Sequence, residues 1–375
     1  MEMLYRQDDA FPHARQGVAV NRVIWSILLA GWFVPGAVEA GPLRICTKFE
    51  AVRLSEKLGG DLLDFTFNHR VDRRIYSPAL DEKRDIYVYI PPKFDASKRY
   101  PVMFWLHGFN QDEKDFMEVA PLFDAAILRG DLPPMIIVAP DGTINGRPSL
   151  FNTGSFYIDS NAGRFGDYLS TDVWNFAVEN FPIRPDRESH ILAGPSMGGF
   201  GAYNAGFKHR DRFGVLVGIF PPINLCYNDC RDNYFGDFDP NCTKHVERLK
   251  PHAPIGRFYG GLVTVRQRRI IQPLFGRTSA DVVERVSAEN PIEMLESRDI
   301  KPGEFKMYLC YGKRDEFNID AQCESFIDVA VKRGLTITYQ VDPDGQHNSR
   351  SGRKLLPGVI SWLDLKLRDL PATPQ

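Results

Sequence analysis

The chain has almost no charge imbalance: 46 Lys and Arg stand against 48 Asp and Glu over 375 residues, a formal charge of −2. Proteins that bind nucleic acid through phosphate contacts concentrate positive charge. No basic tract of that kind is present, so nucleic acid is not an expected partner. Internal repeats and low-complexity segments are also missing. Cysteine is scarce, six residues, and none forms a C-x-x-C pair. That spacing argues against a zinc site, and neither a metal nor an organic cofactor is expected. Long apolar runs are absent except for Val23 to Val34, about a dozen residues, too short for a comfortable membrane span.

That one run has a context. Arg15 and Arg22 precede it and Val38-Glu39-Ala40 follows it. A basic flank, a short apolar core and small residues at the end form a secretory signal peptide. The expectation is cleavage after Ala40 and a secreted or periplasmic location, with retention as an N-terminal membrane anchor as the alternative. Cys46 has no small residue directly before it, so lipidation is not expected. In an exported chain, six cysteines allow up to three disulfides. Cys226, Cys230 and Cys242 cluster in one polar, aromatic stretch, where a bridge is expected, while Cys310 lies in a strand pattern as a buried thiol.

The most informative stretch is Gly194-Pro195-Ser196-Met197-Gly198, directly after the apolar run His190 to Ala193. It matches G-x-S-x-G, the nucleophile elbow between a strand and a helix. The backbone there is strained, and glycine on either side leaves no Cβ to clash. A serine hydroxyl needs a base, and the base needs an orienting carboxylate. In an α/β-hydrolase these follow in the order Ser, Asp/Glu, His. Four histidines follow Ser196. His209 reads as the exposed end of a helix, and His245 and His252 lie in a basic stretch without strand pattern. His347 sits in a loop after the strand pattern Leu335 to Val341, where the base belongs. The carboxylate is expected after the strand Lys306 to Tyr311, with Asp315 preferred and Glu316 and Asp320 as alternatives. The oxyanion donors are expected to be the backbone N–H groups of Met197 and of Phe109, in the loop after Tyr100 to Leu106. His107 reads as a loop-fixing residue. His107, Gly108, Tyr157 and Phe220 are the candidate substrate-binding residues.

These stretches together resemble an esterase family of α/β-hydrolases that includes esterase D, feruloyl and acetylxylan esterases and the mycolyltransferases. The resemblance covers roughly residues 60–365. Its marks are Arg84 to Pro92, Tyr100 to Gly108, Gly154 to Tyr157, and Ala193 to Ala202. It implies Ser196 as nucleophile, Asp315 as acid, His347 as base, and Phe109 and Met197 as amide donors. Two departures stand near the expected acyl and alcohol sites: Phe220-Pro221-Pro222 where relatives often carry Ser-Gly, and Gln346 where a glycine often precedes the base.

The expected fold class is α/β, an α/β-hydrolase fold with a mostly parallel central sheet covered by helices on both faces. Strands are expected at 84–90, 100–106, 134–139, 188–193, 214–219, 306–311 and 335–341. Helices are expected near 114–129, 169–180, 199–209, 320–333 and 352–366. Residues 41–83 should add antiparallel edge strands. The domain runs over 41–370 after the 1–40 leader. Residues 223–295 break the alternation and are expected to form a cap. Its Lys244, Arg248, Lys250, Arg257, Arg266, Arg268, Arg269 and Arg277 favour an acidic substrate. The expected activity is a secreted serine carboxylester hydrolase working through an acyl-enzyme, on a small-molecule ester or on acyl or feruloyl esters of polysaccharide. An acyltransferase using the same acyl-enzyme is the alternative. A binding protein on a hydrolase scaffold would require a missing triad member, and none is missing. Oligomeric state is not legible.

Overall fold

The computed structural model describes residues 48–68, 70–146, 154–245, 249–277 and 280–374. The leader expected at 1–40 and Cys46 lie outside these residues. Eight strands build the central sheet: β1 (Asp61–Phe65), β2 (Ile86–Ile90), β3 (Val102–Trp105), β4 (Ile136–Pro140), β5 (His190–Pro195), β6 (Val215–Ile219), β7 (Lys306–Gly312) and β8 (Ile337–Asp342). Their spatial order is β1-β2-β4-β3-β5-β6-β7-β8. β1 pairs antiparallel with β2, and β2 with β4. Every pairing from β4 to β8 is parallel.

The sequence explains this arrangement. β2, β3, β4 and β6 are unbroken apolar runs, and every residue in them is buried. Strands without polar alternation must be covered on both faces. The cover comes from α1 (Phe116–Arg129), α2 (Trp174–Asn180), α3 (Met197–Lys208), α4 (Ile319–Lys332) and α5 (Ser349–Leu367). α1 meets α5, while α3 and α4 both meet the helix Pro291–Ser297 on the other side. The fold is thus α/β with helices on two faces. The strand expected over 84–90 starts later, because Asp85 separates Glu82–Arg84 from β2. The helix expected at 169–180 begins as a widened turn at Tyr168–Val173 before becoming α2.

Between β6 and β7 the chain makes a long excursion. Tyr227–Asp229 pairs with Thr243–His245, and a hairpin joins Pro254–Phe258 to Val263–Arg266. The helices Arg268–Phe275, Ala280–Glu289 and Pro291–Ser297 follow. Cys230 and Cys242 form a disulfide with their Cα atoms 4.9 Å apart. Cys226, Cys310 and Cys323 are free and buried. Burial pushes the Cys226 thiol up to about 12 and the Cys310 thiol higher still, so both stay protonated and unreactive.

Candidate active site

Parallel strands deliver their C-terminal ends to one edge of the sheet, and the chemistry collects there. β5 ends at Pro195, and Ser196 turns into α3 with φ 50° and ψ −117°. Few non-glycine residues adopt such angles, and they cluster at functional sites. The turn is tight because β3 runs beside it. A Cβ on Gly194 would lie 2.1 Å from the Leu106 carbonyl oxygen, and one on Gly198 would lie 1.8 Å from it. Only glycine fits at either place. The Ser196 N–H donates to the Ile219 carbonyl at 2.8 Å, tying the elbow to the end of β6.

β7 and β8 supply the other two groups. His347 Nε2 stands 2.8 Å from Ser196 Oγ. His347 Nδ1 stands 2.7 Å from Asp315 Oδ2. The carboxylate accepts a hydrogen bond from the Nδ1–H, so the Nε2 lone pair faces the serine hydroxyl. The Asp315 side chain has no solvent exposure, and its Oδ1 also accepts the Phe317 N–H at 2.8 Å. Glu316, the alternative acid, points elsewhere: its Oε2 accepts the backbone N–H of His347 at 2.8 Å. Neighbouring carboxylates thus hold the ring and the main chain of one histidine. Asp320 pairs with Lys313 at 3.4 Å instead.

The loop after β3 lies alongside the elbow. Gly154 packs so close that a Cβ on it would meet Met197 Sδ at 2.1 Å and the Phe109 carbonyl at 3.3 Å. Among the described residues no backbone acceptor takes the N–H of Phe109 or of Met197. Two free donors beside a serine can receive negative charge developing on an oxygen. Gln111 sets the loop: its Oε1 accepts the Gly108 N–H at 2.8 Å, and its Nε2 donates to Asp115 at 2.9 Å.

The structure corrects part of the substrate-binding expectation. His107 is buried, with Nδ1 donating to the Gly108 carbonyl and Nε2 accepting the Gly142 N–H, both at 2.8 Å. Tyr157 is fully buried, and its hydroxyl accepts the His107 N–H at 3.0 Å. Both sit beneath the loop and support it, out of reach of a substrate. Gly108 contributes a backbone bend whose N–H is already used by Gln111. Phe220 is also buried, and its ring lies 4.7 Å from that of His347. Phe317 lies 4.8 Å from the same imidazole, so two phenyl rings flank it.

The excursion after β6 contributes residues that the pattern of motifs did not suggest. Tyr234 Oη donates to the Phe317 carbonyl at 2.9 Å, and Asn318 Nδ2 donates to the Tyr234 carbonyl at 2.7 Å. The Arg257 N–H donates to the Glu316 carbonyl at 2.9 Å. Phe258 packs on Phe317 with ring centres 5.4 Å apart. These residues belong to no motif, and no sequence signal pointed to their contact with the loop that carries Asp315.

The sequence model of the family described as "Putative esterase" matches residues 77–352. The S-formylglutathione hydrolase of Bos taurus is 30% identical over 155 residues, covering 37% of this chain and 52% of that protein. The match therefore spans about half the length of the curated relative. Among solved structures, a ferulic acid esterase superposes with a TM-score of 0.59 at 18% identity, covering 82% of this chain and 99% of the other. An S-formylglutathione hydrolase from Agrobacterium tumefaciens superposes at 0.58 with 16% identity, covering 83% and 96%. At such identities the likeness establishes a shared fold, the α/β-hydrolase fold.

Proposed function

The chain belongs to this esterase family, and from that premise we propose that it is an exported serine carboxylester hydrolase. The observation that carries the reading is the unbroken line from Asp315 through His347 to Ser196, at 2.7 and 2.8 Å, on a strained elbow. Ser196 Oγ attacks the ester carbonyl while His347 Nε2 takes its proton. The imidazolium that results is stabilised by the Asp315 carboxylate. The amides of Phe109 and Met197 receive the oxyanion, a contribution worth roughly 10²–10³-fold in rate per donor. His347 then protonates the leaving alcohol, and water clears the acyl-enzyme by the same steps reversed.

The substrate we infer is an acyl or feruloyl ester borne by a carbohydrate. The Cys230–Cys242 disulfide favours an oxidising compartment, and an exported chain does not meet formylglutathione, a cytosolic metabolite. Tyr234, Arg257 and Phe258 tie the excursion to the loop that carries Asp315, which supports a cap formed by the stretch 223–295 beside the acyl site.

The test is hydrolysis of p-nitrophenyl esters from acetate to octanoate and of methyl ferulate, with Ser196→Ala alongside. The expected result is turnover by the wild type and at least a thousand-fold loss in the variant. A folded wild type with no Ser196-dependent turnover on any of these esters would overturn the proposal.

A further inference from the structure

The hairpin Pro254–Phe258/Val263–Arg266 ends in a tip that the fold does not cover. Tyr259, Gly260 and Gly261 all take positive φ, of 53°, 66° and 95°, so the chain reverses sharply and projects Leu262. Leu262 is 88% exposed, and Tyr259 and Val263 are each about half exposed at 46% and 49%. A leucine so nearly free of its own protein, beside two further apolar side chains, marks a contact surface rather than scattered surface hydrophobicity.

Along the hairpin's own stretch of sequence the charge has one sign, although Lys250 pairs with Asp232 from outside it at 2.8 Å. From Leu249 to Arg277 the sequence holds six Lys or Arg and no Asp or Glu. Arg257, Arg266 and Arg268 are exposed. Among the described residues no carboxylate lies within ion-pair distance of these three. The Arg257 guanidinium lies 4.0 Å from the centre of the Phe235 ring, and Arg266 donates to the His252 carbonyl. Neither contact neutralises the charge. Apolar side chains at the projecting tip of a hairpin that carries Arg257 on its stem and Arg266 and Arg268 at and beyond its base have the make-up of segments that enter the boundary of an anionic bilayer.

We propose that this hairpin docks the protein on an anionic lipid surface, with Leu262, Val263 and Tyr259 entering the headgroup boundary and the arginines meeting lipid phosphates. The apolar tip favours lipid over an acidic polysaccharide, which would use the arginines and leave Leu262 in water. The hairpin is also joined to the catalytic centre. Its Gly256 lies against Phe317, which packs on His347. The inference goes beyond the esterase reading and does not depend on it, because binding is read without turnover.

The test is flotation of the full chain with vesicles of phosphatidylcholine alone and of phosphatidylcholine with phosphatidylglycerol at 30%. Binding is expected to the anionic vesicles and to weaken in 0.5 M salt. Leu262→Ser with Val263→Ser should lower partitioning at least ten-fold. Arg257→Gln and Arg268→Gln should each lower it about five-fold. Circular dichroism checks folding, and hydrolysis of soluble p-nitrophenyl acetate should be unchanged by Leu262→Ser. Three results would overturn the proposal. The wild type fails to bind anionic vesicles. Binding is unchanged in Leu262→Ser/Val263→Ser, which would place it on another segment such as the apolar run at 23–34. Or a soluble acidic polysaccharide captures the protein equally well with and without Leu262.

Discussion

Exchanging each of the two adjacent acids at the end of β7 for its amide separates their duties. Asp315→Asn keeps the size and the Oδ1 that accepts the Phe317 N–H, but it turns an NH₂ group toward His347 Nδ1. Two donors cannot share that 2.7 Å contact. The imidazole must shift to the tautomer with its proton on Nε2, and that nitrogen can no longer accept from Ser196. In serine-protease triads the equivalent loss is about 10⁴-fold in kcat, or about 5 kcal/mol of barrier, and the same is expected here. Glu316→Gln retains an oxygen for the His347 N–H, so kcat should stay within about three-fold. Glu316→Ala leaves that N–H without its partner, costing roughly 1 kcal/mol, about five-fold if the whole cost falls on the active geometry. The assay is kcat on p-nitrophenyl acetate at pH 7.5, with thermal melts to confirm folding. If Asp315→Asn keeps more than a tenth of wild-type kcat, or Glu316→Gln loses three decades, the assignment of the two carboxylates is wrong.

Other residues give sharp expectations. Gly198→Ala places a methyl 1.8 Å from a main-chain oxygen, so calorimetry should show destabilisation of about 3 kcal/mol or more, the cost of overpacking against backbone. An unchanged melting temperature would mean the elbow is looser than described. Burial raises the Asp85 pKa from 3.8 to about 6. The folded state therefore holds a proton that the unfolded state has lost, and native stability falls as pH rises from about 4 through 6. Asp85→Asn cannot ionise. It should gain roughly 2 kcal/mol at pH 7 after allowing for partial solvent screening, and nothing at pH 4, by urea titration. Reducing Cys230–Cys242 opens a loop with a sequence separation of 12, a constraint worth about 3 kcal/mol in chain entropy. That loop carries Tyr234, so kcat should fall several-fold with dithiothreitol. A Cys230→Ser/Cys242→Ser variant should be insensitive to the reductant, and equal sensitivity would locate the effect elsewhere.

The parts legible in the sequence are those that depend on local backbone demands. Ser196 stands out because a strand-to-helix turn against β3 admits only glycine at 194 and 198. The sheet is legible because β2, β3, β4 and β6 have to be apolar throughout to be covered twice. The order of strand ends then places His347 without knowledge of any contact. Side-chain direction is a different matter. Asp315 and Glu316 share an irregular loop, and no period of two or 3.6 says which one faces inward. His107 and Tyr157 lie beside the site in sequence, yet both turn beneath the loop and bond to each other's segment. Gln111 escapes pattern reading because an amide three residues after a glycine has no pattern of its own.

The acid loop shows why the excursion after β6 matters to the chemistry. Ser196 is held by glycine packing and by β6, and His347 by two neighbouring carboxylates. The residues just before Asp315 are tied to the end of β8 and its following loop, with the Lys313 and Arg314 N–H groups donating to the Asp342 and Gly345 carbonyls, both at 3.0 Å, while those just after it lean on the excursion. Residue 318 takes a left-handed conformation, φ 55°, and its amide reaches the Tyr234 and Gly236 carbonyls. The Glu316 carbonyl is tied to Arg257, and the Phe317 ring is packed under Phe258. The loop is thus fixed from outside the sheet by a segment that need not touch the substrate's reacting atoms. On the proposed mechanism, a change in that segment is expected to alter the angle at which Asp315 meets His347, and so the rate, even with Ser196, His347 and Asp315 intact. On the proposed reading, exchanging this excursion between relatives would therefore move kcat together with specificity, because the piece of chain proposed as the cap also supports the Asp315 loop.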